Sequence, residues 1–575
     1  MGRLDSTRGI VRFGAFEADF HAGELRKRGI KIKLPEQPLQ ILEGLVQHPG
    51  EVVTREELKQ KIWPADTFVD FEQGLYNAVR RLREALKDSA EKPRYIETLS
   101  KRGYRFVGIV EANICKIESV AVLPLENLSR DPEQEYFAEG LTEALITTLA
   151  KIGELRVASR TSAMQYKGAR QPLRQIAQEL GVDAIIEGTV LRDGERVRIT
   201  AQLIDAQQES HLWAESYNRD LRDVLTLQAE IAEAIAREVQ IKIVPQERTR
   251  LAQVHPVDSQ AYEAYLKGRY YWNRRSGKGV GKAVQFFQQA IAKDPTYAAA
   301  YSGLADCLVL LGSWGAVAPA GGAGKAKTLA LKALALDSSL AEAHTSLAWA
   351  TAWYDFDFAT AEREFERSLE LDPRYATGHE FFGWVLAMTG RFEEGYTEIK
   401  RAIRLDPLSS PIRFAMGCAY WSAHRFDEAI AALEKAVALD SESALAHAFL
   451  GYISMYTSRY ERGIEEMQVG IQLTQGASAV VGSLGEVYAA AGKRDEAQRT
   501  LERLHQLSRQ QYVSSYPVAR IYMALGEKEE ACRWLETAYA EHSAMMMLVK
   551  VDPRFSELHS DPRFQDILRR MNVQD

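Results

Sequence analysis

The sequence is poor in cysteine and lacks the spacing that cysteine-based sites require. Its four cysteines lie more than 100 positions apart in a chain of 575 residues. That spacing excludes a CxxC redox or zinc motif and a disulfide framework, and is typical of buried thiols in a cytoplasmic protein. HExxH and GxSxG patterns are missing as well. We therefore expect no cofactor, no bound metal and no enzyme activity.

Long apolar runs are also missing. Charged residues are scattered through the first 20 positions, which leaves no apolar region for a secretory signal. The longest uncharged stretch, Cys307 to Gly324, contains Pro319 and five glycines, so it is a poor membrane span and a better loop. We expect no membrane partner and a cytoplasmic location.

Charge is distributed unevenly along the chain. Residues 1–110 carry 20 Lys and Arg against 16 Asp and Glu, a net charge of +4 in a chain whose net charge is −7. A basic end followed by an acidic remainder favours a polyanion-binding head and a protein-facing body. The length predicts about four structural units.

A repeat of 34 residues occupies the second half of the sequence. Gly383, Gly417, Gly451 and Gly485 are separated by 34 positions each, and Ala519 follows at the same interval. This period is the signature of tetratricopeptide (TPR) helix hairpins, which stack into a solenoid. We predict about eight repeats over 259–543, with an inserted loop at 313–324 and a tail, residues 544–575, that caps the solenoid.

Two series of side chains recur once per repeat. The position after the small residue contributes the predicted groove side chains, which would contact a protein or peptide: Trp349, Trp384, Tyr452, Glu486 and Arg520. Core packing between neighbouring hairpins explains aromatic residues there equally well. Four residues before the small residue lie His344, His379, Arg413 and His447, which we expect to pack between helices and not to bind metal.

The basic head begins with short alternating runs and continues with three helical patterns. Glycines punctuate the runs over 10–34, which indicates strands and hairpins. Helices are predicted over Pro38–His48, Arg55–Ile62 and Phe71–Lys87, and Thr54 with Glu57 forms a capping box for the second. Two β-rich phrases around Ser100-Lys101-Arg102 complete a basic hairpin wing.

The third helix combines an apolar stripe with a polar face. Arginine pairs with guanine and asparagine with adenine in the major groove, so such a helix can pack on the core and still read DNA. The alternative is an ordinary solvated amphipathic helix. On or near the polar face lie Gln73, Asn77, Arg80, Arg81 and Glu84.

This order of elements, with the phrase Tyr95-Ile-Glu-Thr-Leu-Ser-Lys-Arg-Gly-Tyr-Arg-Phe106, closely resembles the OmpR/PhoB-type winged-helix domain over residues 10–108. The resemblance implies that Phe71–Lys87 is the recognition helix. It further implies the following DNA contacts: Gln73, Asn77, Arg80, Arg81 and Arg83 on the helix to bases or phosphates, and Lys101 and Arg102 of the wing near the minor groove and backbone. It also implies that the loop Trp63–Asp70 contacts RNA polymerase or a neighbouring subunit. Only nine residues precede Ile10, so we expect no phosphoacceptor receiver domain ahead of the winged helix.

Between residues 119 and 244 strands alternate with helices. Asp193-Gly194 is a strong signal for a two-residue hairpin turn between two strands. The phrases around Val120–Ser129 and Tyr136–Thr142 resemble the TolB N-terminal-like α/β module, which is found before TPR repeats in bacterial regulators and in some nucleotide cyclases. The resemblance implies architecture and no defined activity.

The predicted fold class is therefore multidomain α+β: an N-terminal winged helix-turn-helix, a small central α/β domain and a C-terminal all-α TPR solenoid. The predicted boundaries are a tail (1–9), the winged helix (10–108), a linker (109–118), the α/β domain (119–244), a second linker (245–258), the repeats (259–543) and the cap (544–575).

These features predict a sequence-specific transcriptional regulator. Its winged helix would bind double-stranded promoter DNA, with a homodimer on tandem half-sites, while the repeats would receive a protein or peptide signal. A scaffold or adaptor protein with only nonspecific DNA binding is the main alternative. An enzyme housed in 119–244 is a third.

Overall fold

The computed structural model describes residues 10–20, 23–27, 29–63, 71–111, 117–129, 131–239, 241, 257–273, 277–313, 315 and 317–573. The chain divides into two compact units, Met1–Ile117 and Glu118–Asp575. None of the described helices is long and apolar enough to cross a membrane.

The described residues of the N-terminal unit form two small antiparallel sheets and three helices. One sheet has the strand order β4-β3-β2-β1-β8 and the other β5-β7-β6. The elements are β1 (Ile10–Phe13), β2 (Phe16–Asp19), β3 (Glu24–Lys27), β4 (Ile30–Ile32), α1 (Glu36–Val46), β5 (Val52–Thr54), α2 (Arg55–Ile62), α3 (Phe71–Leu86), β6 (Ile96–Leu99), β7 (Gly103–Phe106) and β8 (Val110–Glu111). The predicted winged-helix fold is confirmed.

Local sequence signals position the helices of this unit. The capping box is present: the Glu57 backbone N–H donates to Thr54 Oγ1 at 3.2 Å, and the Thr54 N–H donates to the Glu57 carboxylate at 2.7 Å. The third helix buries Leu75, Val79 and Leu82 against the other two helices. Its opposite face is therefore left to solvent.

The central module is a six-stranded mixed sheet with helices packed on it. The strand order is β11-β9-β12-β13-β14, and β10 pairs with β12. The elements are β9 (Ser119–Val122), β10 (Glu126–Asn127), α4 (Glu135–Ala150), β11 (Arg156–Val157), α5 (Arg160–Met164), α6 (Leu173–Leu180), β12 (Ala184–Asp193), β13 (Arg196–Asp205), β14 (Ser210–Asp220) and α7 (Val224–Glu238). The predicted α/β class and the hairpin between β12 and β13 are confirmed.

Eight helix hairpins follow in the described part of the chain. Their helix pairs are α8 (Ser259–Asn273) with α9 (Gly277–Lys293), α10 (Ala298–Ser313) with α11 (Lys325–Leu336), α12 (Ala341–Ala350) with α13 (Phe358–Leu371), α14 (Ala376–Met388) with α15 (Phe392–Leu405), α16 (Ser410–Ser422) with α17 (Phe426–Leu439), α18 (Ala444–Ser454) with α19 (Tyr460–Leu473), α20 (Ser478–Ala490) with α21 (Arg494–Leu507), and α22 (Ser515–Ala524) with α23 (Lys528–Ala540). The all-α repeat region is confirmed. The predicted inserted loop 313–324 is helical at both ends, because Ser313 is the last residue of α10 and Ala320–Gly324 forms a π-helix directly before α11.

The 34-residue spacing of small residues reflects close contact within each hairpin. A Cβ at Gly383 would lie 2.7 Å from the Gly395 carbonyl oxygen, and one at Gly451 would lie 2.6 Å from the Gly463 carbonyl oxygen. A larger residue at either position would push the two helices of the hairpin apart.

The central module packs directly on the repeats. Ser162 Oγ donates to Asp406 at 2.9 Å, and the Arg374 guanidinium donates to the Leu155 carbonyl oxygen. Arg192 forms an ion pair with Glu263 of the first hairpin at 2.9 Å. The predicted linker 245–258 lies outside the described residues except for its last two positions.

The C-terminal tail differs from the predicted end cap. Two 3-10 turns, Ala544–Leu548 and Pro553–Leu558, precede the last helix, α24 (Pro562–Arg570). The last helix does cover the final hairpin, where Arg570 pairs with Glu536 at 2.6 Å. The preceding turns instead contact hairpins far from the end, including Tyr452 and Glu486, because the tail turns back along the array.

Candidate nucleic-acid interface and repeat groove

The solvent-facing side of α3 presents most of the predicted DNA-contacting residues. Gln73, Arg80 and Arg81 are exposed, and Asn77 is half-buried on the same side. In the described part of the chain the Arg81 side chain has no ion-pair or hydrogen-bond partner, whereas Arg80 lies 3.8 Å from Glu84. Two guanidinium groups are thus available to a polyanion.

Tyr76 belongs to this face and was missed by the sequence analysis. It is 60% exposed, which is unusual for so large an apolar ring. Its position three residues after Gln73 and four before Arg80 was the signal that could have found it. An exposed aromatic ring beside two arginines can contact a sugar or a thymine methyl group.

Arg83, predicted to contact DNA, is bound within the N-terminal unit. Its guanidinium donates to the Ile96 carbonyl oxygen and to Thr98 Oγ1, both at 2.8 Å, and the side chain is half-buried. These bonds join α3 to the first strand of the wing. Arg83 therefore holds helix and wing together, and its DNA contact stays a prediction.

The wing presents its two basic residues at an exposed turn. Lys101 has a positive φ of 59°, and Lys101 and Arg102 are both exposed. Gly103 follows because β5 approaches closely: a Cβ there would collide with the Val53 carbonyl oxygen. Arg105, further along the hairpin, is paired with Glu97 at 2.6 Å. The turn is therefore the free cationic part of the wing.

Asp88 fixes the connection between the recognition helix and the wing. Its carboxylate accepts backbone N–H bonds from Arg94 at 2.7 Å and from Ile96 at 2.8 Å. At the other end of α3, Glu72 is bound by Arg55 at 2.6 Å and Lys59 at 3.2 Å. These hydrogen bonds, led by that from Lys59, lower the pKa of Glu72. Helix and wing are thereby held as one surface.

The predicted polymerase-contacting loop, Trp63–Asp70, lies outside the described residues except for Trp63. That indole packs edge-on against Phe71 with ring centroids 5.6 Å apart. It also lies against Gly74, where a Cβ would approach the ring to 2.9 Å. Trp63 therefore anchors the start of the recognition helix.

The repeat groove does not offer the predicted side chains to a partner. Trp349, Tyr452, Glu486 and Arg520 are at most 2% exposed, and only Trp384 is partly accessible. Trp349 packs against Trp384 with ring centroids 5.1 Å apart. The prediction of open groove contacts is wrong for the four buried side chains, because helix neighbours and the chain's own tail cover them.

Glu486 and Arg520 belong to a buried charge cluster that the sequence analysis did not find. Arg520 Nε lies 2.7 Å from the Glu486 carboxylate, Arg554 Nε contacts the other Glu486 oxygen at 2.7 Å, and Tyr516 Oη donates to Asp552 at 2.9 Å. Burial raises the pKa of Asp552, and the Arg520 charge opposes that rise. The twice-occurring Asp-Pro-Arg-Phe phrase was the available signal.

The histidine series packs between helices as predicted. The Nδ1 atoms of His344, His379 and His447 lie 2.6, 2.5 and 2.6 Å from the carboxylates of Glu364, Glu398 and Glu466, each on the second helix of its hairpin. Their Nε2 atoms face a carbonyl oxygen six residues earlier in the chain. Arg413 makes the same contact to the Pro407 carbonyl oxygen. The series therefore ties each hairpin to the turn before it.

Three family models match successive parts of the chain. Residues 29–106 match "Transcriptional regulatory protein, C terminal". The chain carries an OmpR/PhoB-type winged helix. Residues 116–234 match the second domain of the HilA/YgeH-like transcriptional regulators, and residues 414–478 match the tetratricopeptide repeat. For the central module the matching model is thus a regulator domain, and the resemblance to the TolB N-terminal-like module stays a prediction.

Curated relatives cover parts of the chain at moderate identity. A putative adenylate cyclase 3 of Rhizobium meliloti (strain 1021) is 35% identical over 237 residues, which are 41% of this chain and 40% of that protein. The transcriptional regulator HilA of Salmonella typhimurium is 25% identical over 385 residues, 66% and 67% of the two chains. A cholera toxin homolog transcriptional activator of Vibrio parahaemolyticus is 31% identical over 133 residues, 23% and 42%.

The chain thus spans 40% of the length of the Rhizobium protein and 67% of the length of HilA. Two of these three relatives are named as transcriptional regulators, and one is named as an enzyme.

Proposed function

We propose that this protein is a sequence-specific DNA-binding transcriptional regulator without enzyme activity of its own. The observation that carries the proposal is the surface formed by α3 and the wing turn, where Arg80, Arg81, Lys101 and Arg102 are exposed. Helix-turn-helix proteins place such a helix in the major groove and use neighbouring cations on the phosphates. The relatives are bacterial proteins, and DNA lies in the cytoplasm of a bacterial cell, so a cytoplasmic location is part of the proposal.

The fixed geometry of this surface supports sequence-specific recognition of DNA over nonspecific electrostatic attraction. A polyanion patch needs only positive charge, whereas base reading needs donors fixed in position. Asp88 and Arg83 fix the wing relative to the helix through backbone bonds at 2.7–2.8 Å. Asn77 and Gln73 on the helix supply amide groups of the kind that pair with adenine.

Oligomerisation on DNA is part of the proposal. A single winged helix buries a small area and binds with modest affinity, so two copies on tandem half-sites would supply the missing affinity. Contact with RNA polymerase is proposed through the loop that follows Trp63. The repeat array is proposed to receive a protein or peptide.

The test is selection of genomic DNA fragments by the purified full-length chain at near-physiological salt. The matched variant is Arg80→Ala/Arg81→Ala, which changes exposed side chains only, so its thermal melting should equal that of the wild type. We expect a recurrent motif that the variant loses, with a spacing that reports the number of bound copies.

Uniform fragment recovery by both proteins would contradict the proposal. Binding would then be the counterion-release attraction that any basic patch shows, with steep salt dependence and no sequence preference. The scaffold or adaptor alternative would take its place.

A further inference from the structure

The tail residues 542–555, called here the resident segment, contact the first helices and turns of six successive hairpins in order. His542 Nδ1 lies 2.7 Å from the Tyr354 carbonyl oxygen, and Lys550 lies against Gly390. His424 Nε2 lies 3.3 Å from the Val551 carbonyl oxygen. The later contacts are Asp552 with Tyr452, Arg554 with Glu486, and Phe555 with Tyr516.

The apolar part of the segment fills the same side of the array. Met546, Met547, Leu548 and Val549 are at most 7% exposed and belong to one core cluster with residues of seven hairpins. Ala544 and His542 border a small cavity beside Trp349 and Trp353. A methionine-rich run adapts its shape to an irregular apolar surface, as side chains at promiscuous binding sites do.

The polar part of the segment adds one acidic and one basic side chain to a site where the array already supplies one of each. The array supplies Glu486 and Arg520, and the segment adds Asp552, whose carboxylate lies 4.0 Å from Arg520 Nη1, and Arg554, at 2.7 Å from Glu486. Arg520 also lies over the Tyr452 ring at 4.3 Å. Because the array's own pair is balanced, the site keeps zero net charge when the segment leaves.

The segment is attached as a linear peptide and not as a repeat. It contains the 3-10 turn Ala544–Leu548 and ends in the first residues of a second turn, Pro553–Leu558, and it forms no helix hairpin. The second Asp-Pro-Arg-Phe phrase, Asp561–Phe564, has the same cap, since Asp561 accepts the Arg563 N–H at 2.9 Å. It lies on the outside of the last hairpin, where Arg563 pairs with Glu529 at 2.7 Å. The phenylalanine is thus buried in both copies, whereas the arginine is half-buried in the first copy and exposed in the second.

We propose that the first-helix side of the array is a peptide channel occupied by the resident segment, and that a protein partner enters by displacing it. The partner would carry an apolar run followed by an Asp-x-Arg pair, the chemistry that the channel already holds. This inference rests on the part of the proposed function in which the repeats receive a partner, and it does not require DNA binding.

Tethering sets the threshold for displacement. The segment begins two residues after α23 ends, so its effective concentration at the channel is on the order of millimolar. An identical peptide added in trans therefore competes poorly until the resident copy is weakened. The intact chain would thus be closed to partners of ordinary affinity.

The experiment uses the full-length chain and a fluorescent peptide of residues 542–556, with binding followed by anisotropy. Arg554→Gln weakens the resident copy, and Arg563→Gln is the matched control in the twin phrase outside the channel. We expect the Arg554→Gln chain to bind the peptide at least about tenfold more tightly than the wild type or the control. A peptide in which the residue matching Arg554 is glutamine should lose that gain.

Hydrogen exchange of the wild-type chain supplies the second readout, which needs no variant. We expect residues 544–555 to exchange faster than the helix Ala444–Ser454, since the segment opens without unfolding the repeats. Equal peptide binding by both variants would overturn the proposal. The proposal would also be overturned if neither variant bound the peptide and the segment exchanged only at the rate of the repeats. The segment would then be an integral part of the core. Either result would leave selection of DNA by the winged helix unaffected.

Discussion

Arginine has opposite roles in the two units of this protein. In the N-terminal unit Arg81 is exposed and unpaired among the described residues, and its charge is available to a polyanion. In the repeat array Arg520 is 1% exposed and enclosed by Glu486, Tyr452 and Asp552. The residue type alone therefore says little about function, because burial and partners decide whether the charge binds a ligand or holds the fold.

The same difference decides what a polar residue on a helix does. A polar residue on a free helix face is available to a ligand, and one on a helix covered by another segment belongs to the core.

Arg520→Ala should destabilise the repeat array by about 3–5 kcal/mol, because it leaves the buried Glu486 and Asp552 carboxylates without a full set of countercharges. Thermal and denaturant unfolding of the full chain measure the change. Arg533→Ala is the matched control, since Arg533 is 71% exposed and pairs with Glu530 on the surface. Its cost should stay within about 0.5 kcal/mol. Equal costs for the two variants would mean that the buried cluster contributes no more than a surface pair.

Arg83→Ala should destabilise the N-terminal unit by about 1–3 kcal/mol, because the Ile96 carbonyl oxygen and Thr98 hydroxyl lose their donor. Arg81→Ala, two positions away on the same helix, should leave stability unchanged within about 0.5 kcal/mol. Unfolding followed by a probe in the N-terminal unit measures both. If Arg83→Ala melts like the wild type and loses DNA affinity as Arg81→Ala does, Arg83 is a DNA contact after all.

Sequence reasoning succeeded where the determining contacts are local. The capping box at Thr54 and the recognition helix need only residues three or four positions apart, and the structure places both within one residue of the prediction. The 34-residue period likewise reports contacts inside one hairpin. The helix α5 was not predicted, because it is only five residues long and has no strong apolar period.

The contacts that the sequence did not reveal join residues outside one local pattern. Tyr452 meets Asp552 across 100 residues, so no local pattern reveals that the groove is filled. Arg83 meets the wing strand 13 residues later, and a helical wheel places it at the margin of the polar face, where its direction depends on tertiary packing. Periodicity predicts which face of a helix is polar, but it does not predict which segment packs against that face.

Arg81→Ala should weaken specific DNA binding by about tenfold and reduce the slope of log affinity against log salt by about 1, the effect of losing one phosphate or base contact. Titration at three salt concentrations by fluorescence anisotropy measures both. Arg94→Ala, an exposed arginine in the same unit but off the helix and wing turn, is the control. An equal loss of affinity in the two variants would indicate a diffuse basic patch, to which α3 contributes no more than other parts of the unit.

The smallest expected effect concerns the junction between central module and repeats. Burial alone would raise the pKa of Glu263, but hydrogen bonds from Arg192, Lys267 and Tyr136 outweigh it and lower the pKa to about 2. The ordinary glutamate value is about 4.3. Because the folded pKa is the lower one, the contribution of Glu263 to stability is complete above about pH 4.3 and is lost as the pH falls to about 2.

Glu263→Gln should therefore cost about 1 kcal/mol at pH 7, and its melting temperature should converge with that of the wild type as the pH falls from about 4.3 toward 2. Differential scanning calorimetry at several pH values follows the difference, with Glu461→Gln as an exposed control that should match the wild type throughout. A difference that stays constant down to pH 2 would mean that Glu263 holds the junction by shape and hydrogen bonding, since a charge-dependent contact must vanish once the wild-type carboxylate is protonated.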